Sequence, residues 1–117
     1  MDIVVTVPKW FWPEWIDEGD AAGDPQSGEE WGYSTGAKPN VGPGDLCYIV
    51  SHGRLRGYAP ITRVVFENGK WYICRQGGAV AVTINEYIPG FRGFRKRWWE
   101  RQFEVPFPDW KTAGVTP

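Results

Sequence analysis

Short apolar runs alternate with turn-forming residues along most of this chain. Runs of about 4–8 residues rich in Val, Ile, Tyr and Trp are typical of β-strands, and their recurrence roughly every 8–12 residues is typical of small barrels and sandwiches. The pattern predicts strands at residues 2–7, 46–50, 55–66, 71–75 and 79–84. The run at 46–50 has no charged position, which indicates a strand covered on both faces.

Glycine, proline and asparagine mark the turns between these strands. Residues 42–45 read Gly-Pro-Gly-Asp, which reverses the chain because proline fixes φ and glycine accepts positive φ. The polar turns at 51–54 and 67–70 each predict a hairpin, the second through its Asn-Gly pair. Gly57 lies inside the longest run and predicts a bulge or sharp bend there.

One segment has the pattern of a short helix. Residues 13–18 begin with a proline, carry acidic side chains near the start and are followed by a glycine, three features typical of helix ends. The helical spacing places Trp12, Trp15 and Ile16 on one side. We expect that side to pack on the barrel.

The remaining segments are described by composition. Residues 20–30 are acidic and rich in small residues, so a mobile loop is expected. Residues 31–36 contain two glycines and favour neither strand nor helix, but they can bring the backbone close to a ligand. A further strand is expected from about Phe94, residues 105–110 are expected to lie extended across the barrel, and residues 111–117 are expected to fray.

The length of 117 residues predicts one domain with one core, and residues 104–117 are expected to form an extended C-terminal tail. Eight tryptophans and an aromatic content of 16% supply large side chains for that core. The fold class expected is α+β, a small mixed β-barrel of five to six strands with one or two short helices.

The sequence predicts a cytoplasmic protein that makes no contact with membrane. Residues 1–8 lack the basic start and the long apolar run of a signal peptide, so none is expected, and no apolar segment is long enough to span a bilayer. Cys47 and Cys74 are expected to be buried free thiols. Two cysteines and the single His52 cannot form a four-ligand zinc site, so we expect no metal and no other cofactor.

Charge is distributed unevenly along the chain, although the net charge is −1. Residues 1–40 contain eight acidic side chains and two lysines, and residues 41–117 contain six acidic and eleven basic side chains. A basic side and an acidic side are typical of proteins that place one face against phosphates. The same asymmetry also occurs in proteins that bind no nucleic acid.

The central motif resembles the PUA-like superfamily, especially its EVE and ASCH branches. In those small mixed barrels a Pro-Gly-Asp turn opens a strand, and a glycine-containing strand follows a short polar turn. The matching residues here are Pro43-Gly44-Asp45, the run 46–50, Ser51-His52 and the segment 55–58.

The N-terminal order also resembles EVE domains: a strand, a proline, an aromatic-rich helix, an acidic loop and a Trp-Gly segment. In this chain those are residues 4–7, Pro8, residues 10–16, the loop at 20–30 and Trp31-Gly32, so the resemblance covers about residues 1–85. EVE domains carry an Arg-Asn pair soon after the Trp-Gly segment, and here residues 33–35 stand instead. The Gly-x-Lys-x-x-Glu-x-Arg motif of ASCH domains starts at Gly36 but loses its acid and its arginine.

The resemblance implies a pocket for a modified base in the region of the aromatic segments. A flat base can be held between aromatic side chains and read by hydrogen bonds to its edge. The candidate cage is Trp10, Trp12, Trp31 and Tyr33, with Ser34 and Thr35 as edge readers. Lys38, Ser51 and His52 are further candidates for the pocket, and each also suits an ordinary loop or turn.

A second group of candidates would contact the phosphates. Basic and aromatic residues alternate near the C-terminus, which suits phosphate contact and base stacking. The candidates are Lys9, Arg92, Arg95, Lys96, Arg97, Trp98, Trp99 and Arg101. An edge strand with tryptophan inside and arginine outside fits the same residues.

These features favour a nucleic-acid-binding module for RNA or DNA that recognises a flipped or modified base without turnover. The first alternative is an ASCH-type nuclease or nucleoside amidohydrolase. His52 is the one histidine that could act as its base, and no acidic residue lies near Lys38 in the sequence to complete such a site. The second alternative is a small phage or defence-related protein-interaction module, because tryptophan and arginine often anchor protein interfaces.

Overall fold

The computed structural model describes residues 1–18 and 30–115. The described residues contain one α-helix, α1, and single turns of 3-10 helix at Lys9–Phe11 and Arg101–Phe103. The strands are β1 Ile3–Thr6, β2 Trp31–Thr35, β3 Leu46–Ser51, β4 Arg54–Glu67, β5 Lys70–Arg75, β6 Val82–Thr83, β7 Phe94–Lys96 and β8 Val105–Pro106; α1 spans Trp12–Glu18. The predicted acidic loop lies outside the described residues except for Glu30.

Six strands form one curled sheet with the shape of a half-barrel. Their order is β2-β5-β4-β3-β1-β7, and β6 and β8 form a separate two-stranded sheet. β1 runs parallel to β3 and antiparallel to β7, so the sheet is mixed. The expected small, barrel-like, strand-rich fold with a short helix is confirmed at this level.

β3 is the most deeply buried strand, as its apolar run predicts. Cys47 packs inside the half-barrel with Ile3, whereas Tyr48 and Val50 face the opposite side and pack under Trp99. Both faces are covered, because Ile84, Ile88 and Trp99 pack with Tyr48 and Val50 on the second face. Cys47 and Cys74 are both buried and unbridged, as expected.

The bulge predicted at Gly57 occurs at the preceding residue, Arg56. Gly57 pairs with Ile49 and Leu55 pairs with Val50, which leaves Arg56 as the extra residue of β4. A Cβ atom on Gly57 would lie 2.6 Å from the carbonyl oxygen of Val80. Glycine is therefore required for the close approach of the next segment.

Two segments differ from the sequence predictions in their pairing. Residues 31–35, whose composition favours neither strand nor helix, form β2 and pair antiparallel with β5 along their whole length. The strand predicted at 79–84 is reduced to β6, because Val80 pairs with Tyr58 alone and β6 turns away to pair with β8.

The C-terminal segment returns to the core instead of extending from it. Phe107 and Trp110 are buried against Val7 and Trp12, and the Trp12 indole donates a hydrogen bond to the Lys111 carbonyl at 3.3 Å. Hydrogen-bonded turns continue from Asp109 to Val115. The expectations of an extended tail and of fraying are corrected for this stretch, because burial of two large rings stabilises it; residues 116–117 lie outside the described range.

Candidate nucleic-acid interface

The four aromatic residues expected to form one cage lie in three different environments. Trp12 is 3% exposed and packs edge-on against Trp110 at 6.0 Å, so it belongs to the core and cannot stack on a ligand at the surface. Trp10, two residues earlier, is 76% exposed. The 3-10 turn at Lys9–Phe11 produces this difference, because it directs neighbouring side chains to different sides of the segment.

Trp31 and Tyr33 lie on β2 at the edge of the sheet. The Trp31 ring meets the Phe11 ring edge-on at 6.4 Å and lies 5.4 Å from the Arg75 guanidinium. The Tyr33 hydroxyl accepts a hydrogen bond from Arg75 Nε at 3.1 Å. Both rings are half-buried and contact the same buried arginine, so the strand is fixed to the half-barrel.

A cleft of about 530 Å³ opens beside Trp10 and contains several of the predicted residues. Tyr87 also lines this cleft and is also 76% exposed, and sequence reasoning missed it. We call this site the aromatic cleft, and its main lining residues are Lys9, Trp10, His52, Tyr87, Phe91 and Arg92. Gly53 supports the Tyr87 ring, since a Cβ atom there would lie 2.5 Å from the ring.

His52 lines this cleft and forms a hydrogen-bonded pair with Ser51. Ser51 Oγ is fully buried and donates to the Val7 carbonyl at 2.8 Å. Since a hydroxyl has one proton, Ser51 must accept at its 3.0 Å contact with His52 Nδ1. His52 therefore carries its proton on Nδ1, and Nε2 is left as an acceptor.

The surroundings of His52 favour this neutral form. Partial burial lowers the pKa of the imidazole, and the positive charges of Arg56 and Lys9 lower that pKa further. The His52 ring also lies edge-on to the Trp12 ring at 5.4 Å. His52 adopts a φ of 53°, so this turn residue occupies the left-handed region.

A second cleft of about 370 Å³ lies at the opening of the half-barrel, between β1 and β2. It is lined by residues that include Thr6, Tyr33, Ser34, Phe91, Arg92 and Phe94. Ser34, predicted to read a base edge, therefore lies in a cleft. Thr35 donates to the Ala37 carbonyl at 3.2 Å, and Lys38 lies 5.5 Å from the Trp71 ring centre. Neither of these two residues lines either cleft.

The predicted phosphate-binding group divides into two sets. Lys9 and Arg92 line the aromatic cleft. Arg95 is exposed, with its guanidinium 4.3 Å from the centre of the Phe91 ring, which borders both clefts. Lys96 is exposed on β7 but lines neither cleft.

The second set is part of the protein's own framework. Arg97 pairs with Asp2 at 3.4 Å and donates to the Trp99 carbonyl. Trp99 is buried, and its indole donates to Glu104 at 2.9 Å. Arg101 Nε lies 3.7 Å from the same carboxylate. The polar groups of these three residues therefore have protein partners, and their role as phosphate contacts stays a prediction.

Glu104 organises this framework from a nearly buried position, with its side chain 5% exposed. It accepts a hydrogen bond from Tyr48 Oη at 2.7 Å, and burial together with this bond raises the pKa of Tyr48. Trp98 is exposed, and its indole donates to Glu86 at 2.9 Å. The adjacent tryptophans 98 and 99 therefore lie in different environments.

Arg56 has a structural role that the sequence did not reveal. It is fully buried at the bulge of β4 and donates to the carbonyls of Ser51, Trp110 and His52 at 2.9, 3.1 and 3.4 Å. Burial, followed by the nearby charge of Arg54, lowers the pKa of Arg56 to about 10, so it stays charged at neutral pH. It joins the turn that carries His52 to the C-terminal segment.

No helix among the described residues is long and apolar enough to cross a membrane. Within residues 1–18 and 30–115, no group of three or more His, Cys, Asp or Glu side chains is placed to hold a metal ion. No protein-family model, curated protein or solved structure matches this chain. The two clefts are therefore the features of the molecule that bear on its function.

Proposed function

We propose that this protein is a PUA-like module that binds nucleic acid at the aromatic cleft, with a flipped or modified base as its ligand. One observation carries the proposal: Trp10 and Tyr87, each 76% exposed, border the same cleft as Lys9 and Arg92. Exposed rings beside cations are the combination that single-stranded nucleic acid requires, because bases stack on rings and phosphates pair with cations.

Each side chain of the cleft has a role in this proposal. Trp10 and Tyr87 stack on the base, and neutral His52 accepts a hydrogen bond from an N–H group on its edge through Nε2. Lys9 and Arg92 neutralise the adjacent phosphates. The half-barrel supplies the rigid framework, since Ser51 and Arg56 fix the turn that carries His52.

The geometry favours binding over turnover. A Ser-His nucleophile requires the serine to donate its proton to the histidine and to reach the substrate. Here Ser51 is fully buried and its proton is donated to the Val7 carbonyl. The Cys47 thiol is also buried, and burial raises its pKa to about 12, so it is not a nucleophile at neutral pH.

The test is a fluorescence-anisotropy titration with single- and double-stranded oligonucleotides, plain and base-modified, at two salt concentrations. We expect binding of single strands that weakens as salt increases. Trp10→Ala and Tyr87→Ala should each weaken it by roughly 5–150-fold, the range for loss of one base–ring stack.

Phe66→Ala is the matched control, because Phe66 is an exposed ring on β4 that lines neither cleft. It should leave binding unchanged. The proposal would be abandoned if no oligonucleotide bound, or if all three variants bound as the wild type does.

A further inference from the structure

The aromatic cleft and the second cleft share a wall. Thr6, Pro8, Phe91 and Arg92 line both of them. The wall is fixed to the sheet at β1, since the Phe91 amide donates to Thr6 Oγ1 at 3.3 Å. The two clefts are therefore neighbouring parts of one surface groove.

The second cleft offers the same kind of chemistry as the first. Tyr33 and Phe94 contribute rings on opposite sides of the half-barrel opening, and Ser34 and Thr6 contribute hydroxyl groups. Both rings are half-buried and packed against the core cluster inside the half-barrel. A flat ligand with polar edges fits such a lining, as a base does in the first cleft.

Arg92 is the charged residue among the four that the clefts share. Arg95 is close to this wall, because its guanidinium stacks on the shared Phe91 ring. In a nucleic-acid strand the group that joins two bases is an anionic phosphate. The order ring-lined cleft, cation, ring-lined cleft therefore matches the order base, phosphate, base.

We propose that the two clefts are successive subsites of one groove, which holds adjacent nucleotides of a single strand with the connecting phosphate at Arg92. This inference depends on the proposed function and extends it, because it specifies a ligand of at least two nucleotides. A duplex is disfavoured, since its bases are already stacked and paired and cannot enter two ring-lined clefts.

The test compares the affinities of a nucleoside 5′-monophosphate, a dinucleotide and a tetranucleotide of the same base, in DNA and RNA forms, by isothermal titration calorimetry. The dinucleotide should bind at least about tenfold more tightly than the monophosphate, because a second base and a connecting phosphate are held. The further increase in affinity from the dinucleotide to the tetranucleotide should be much smaller. Equal affinities of monophosphate and dinucleotide would overturn the two-subsite groove and leave the proposed function standing, whereas no binding of any ligand would overturn both.

Variants locate the subsites. Ser34→Tyr adds bulk to an exposed position in the second cleft. It should therefore lower the affinity for the dinucleotide by about tenfold and leave the affinity for the monophosphate unchanged. Arg92→Ala should remove most of the affinity that the second nucleotide adds. Lys96→Ala removes the same charge from a neighbouring exposed site outside both clefts and should have a much smaller effect. An equal loss in Arg92→Ala and Lys96→Ala would contradict a phosphate site at Arg92.

Discussion

Two regions of this protein have nearly the same residue types, but one is buried and the other is exposed to solvent. The first, which we call the Arg56 cluster, consists of Arg56, Trp12, Phe107 and Trp110, and all four are buried. The aromatic cleft likewise combines cations with rings, but its two largest rings are exposed. The Arg56 guanidinium donates to three carbonyl groups, whereas Arg92 lies exposed in the wall of a cleft.

The difference shows that aromatic and basic composition does not identify a binding site. A buried guanidinium is tolerated where protein carbonyls replace its water, and the rings around it then contribute to stability. An exposed ring beside a cation does not contribute the stability that burial of its apolar surface would give the fold. Exposure and hydrogen-bond satisfaction, not residue type, therefore distinguish the candidate site from the core.

The largest expected contrast is between Trp12 and Trp10. Trp12→Ala should lower the free energy of unfolding by about 3–5 kcal/mol, because it leaves a cavity beside Trp110 and removes the bond to Lys111. Trp10→Ala should change that free energy by less than about 0.5 kcal/mol. Urea denaturation of both variants measures the contrast, and similar losses in the two would show that the regions do not differ as described.

The next contrast is between two arginines of β4. Arg56→Leu should destabilise the protein by about 3 kcal/mol, because three carbonyls lose a charged donor and the C-terminal segment loses its link to the His52 turn. Arg63→Leu removes an exposed pair with Glu30 and should have little effect. Thermal denaturation checks both variants, and a stable Arg56→Leu protein would mean that the cluster is held by its rings alone.

The smallest expected effect concerns His52, which contacts both regions. Its pKa is lowered in the folded state, mainly by burial and then by Arg56 and Lys9, so the unfolded chain binds a proton more readily. The contribution of His52 to stability is therefore complete above the unfolded pKa of 6.5 and is lost as pH falls through the lower folded value.

Thermal denaturation between about pH 8 and about pH 5 tests this sign against His52→Asn. Asparagine tolerates positive φ and its amide can still donate to Ser51, but it does not titrate. The wild type should lose more stability on acidification than the variant. Parallel curves for the two proteins would exclude His52 as the source of the pH dependence.

Local signals were sufficient to predict most of the fold. The turn at 42–45, the Asn-Gly hairpin and the apolar run of β3 are properties of neighbouring residues, and each is confirmed. Gly57 predicted the bulge to within one residue. β2 was missed because its glycine and hydroxyl residues have weak strand preference, and its pairing with β5 decides its structure.

The candidate site was predicted less well, because exposure depends on contacts between distant parts of the chain. Nothing near Trp12 indicates that Trp110 covers it, and nothing near Arg56 indicates that its partner is the Trp110 carbonyl. Tyr87 follows a predicted strand and has no distinctive motif, so its place in the same cleft as Trp10 emerged only from the folded arrangement.

The position of β1 between β3 and β7 has a consequence for synthesis of the chain. This strand is made early, yet its neighbour β7 is made late, and contacts join Asp2 to Arg97 and Trp12 to Lys111 across 95 and 99 residues. Such long-range pairing slows folding, because loops must close before contacts form. Before β7 has been made, one edge of β1 has no strand to pair with, and an unpaired apolar edge favours association between chains.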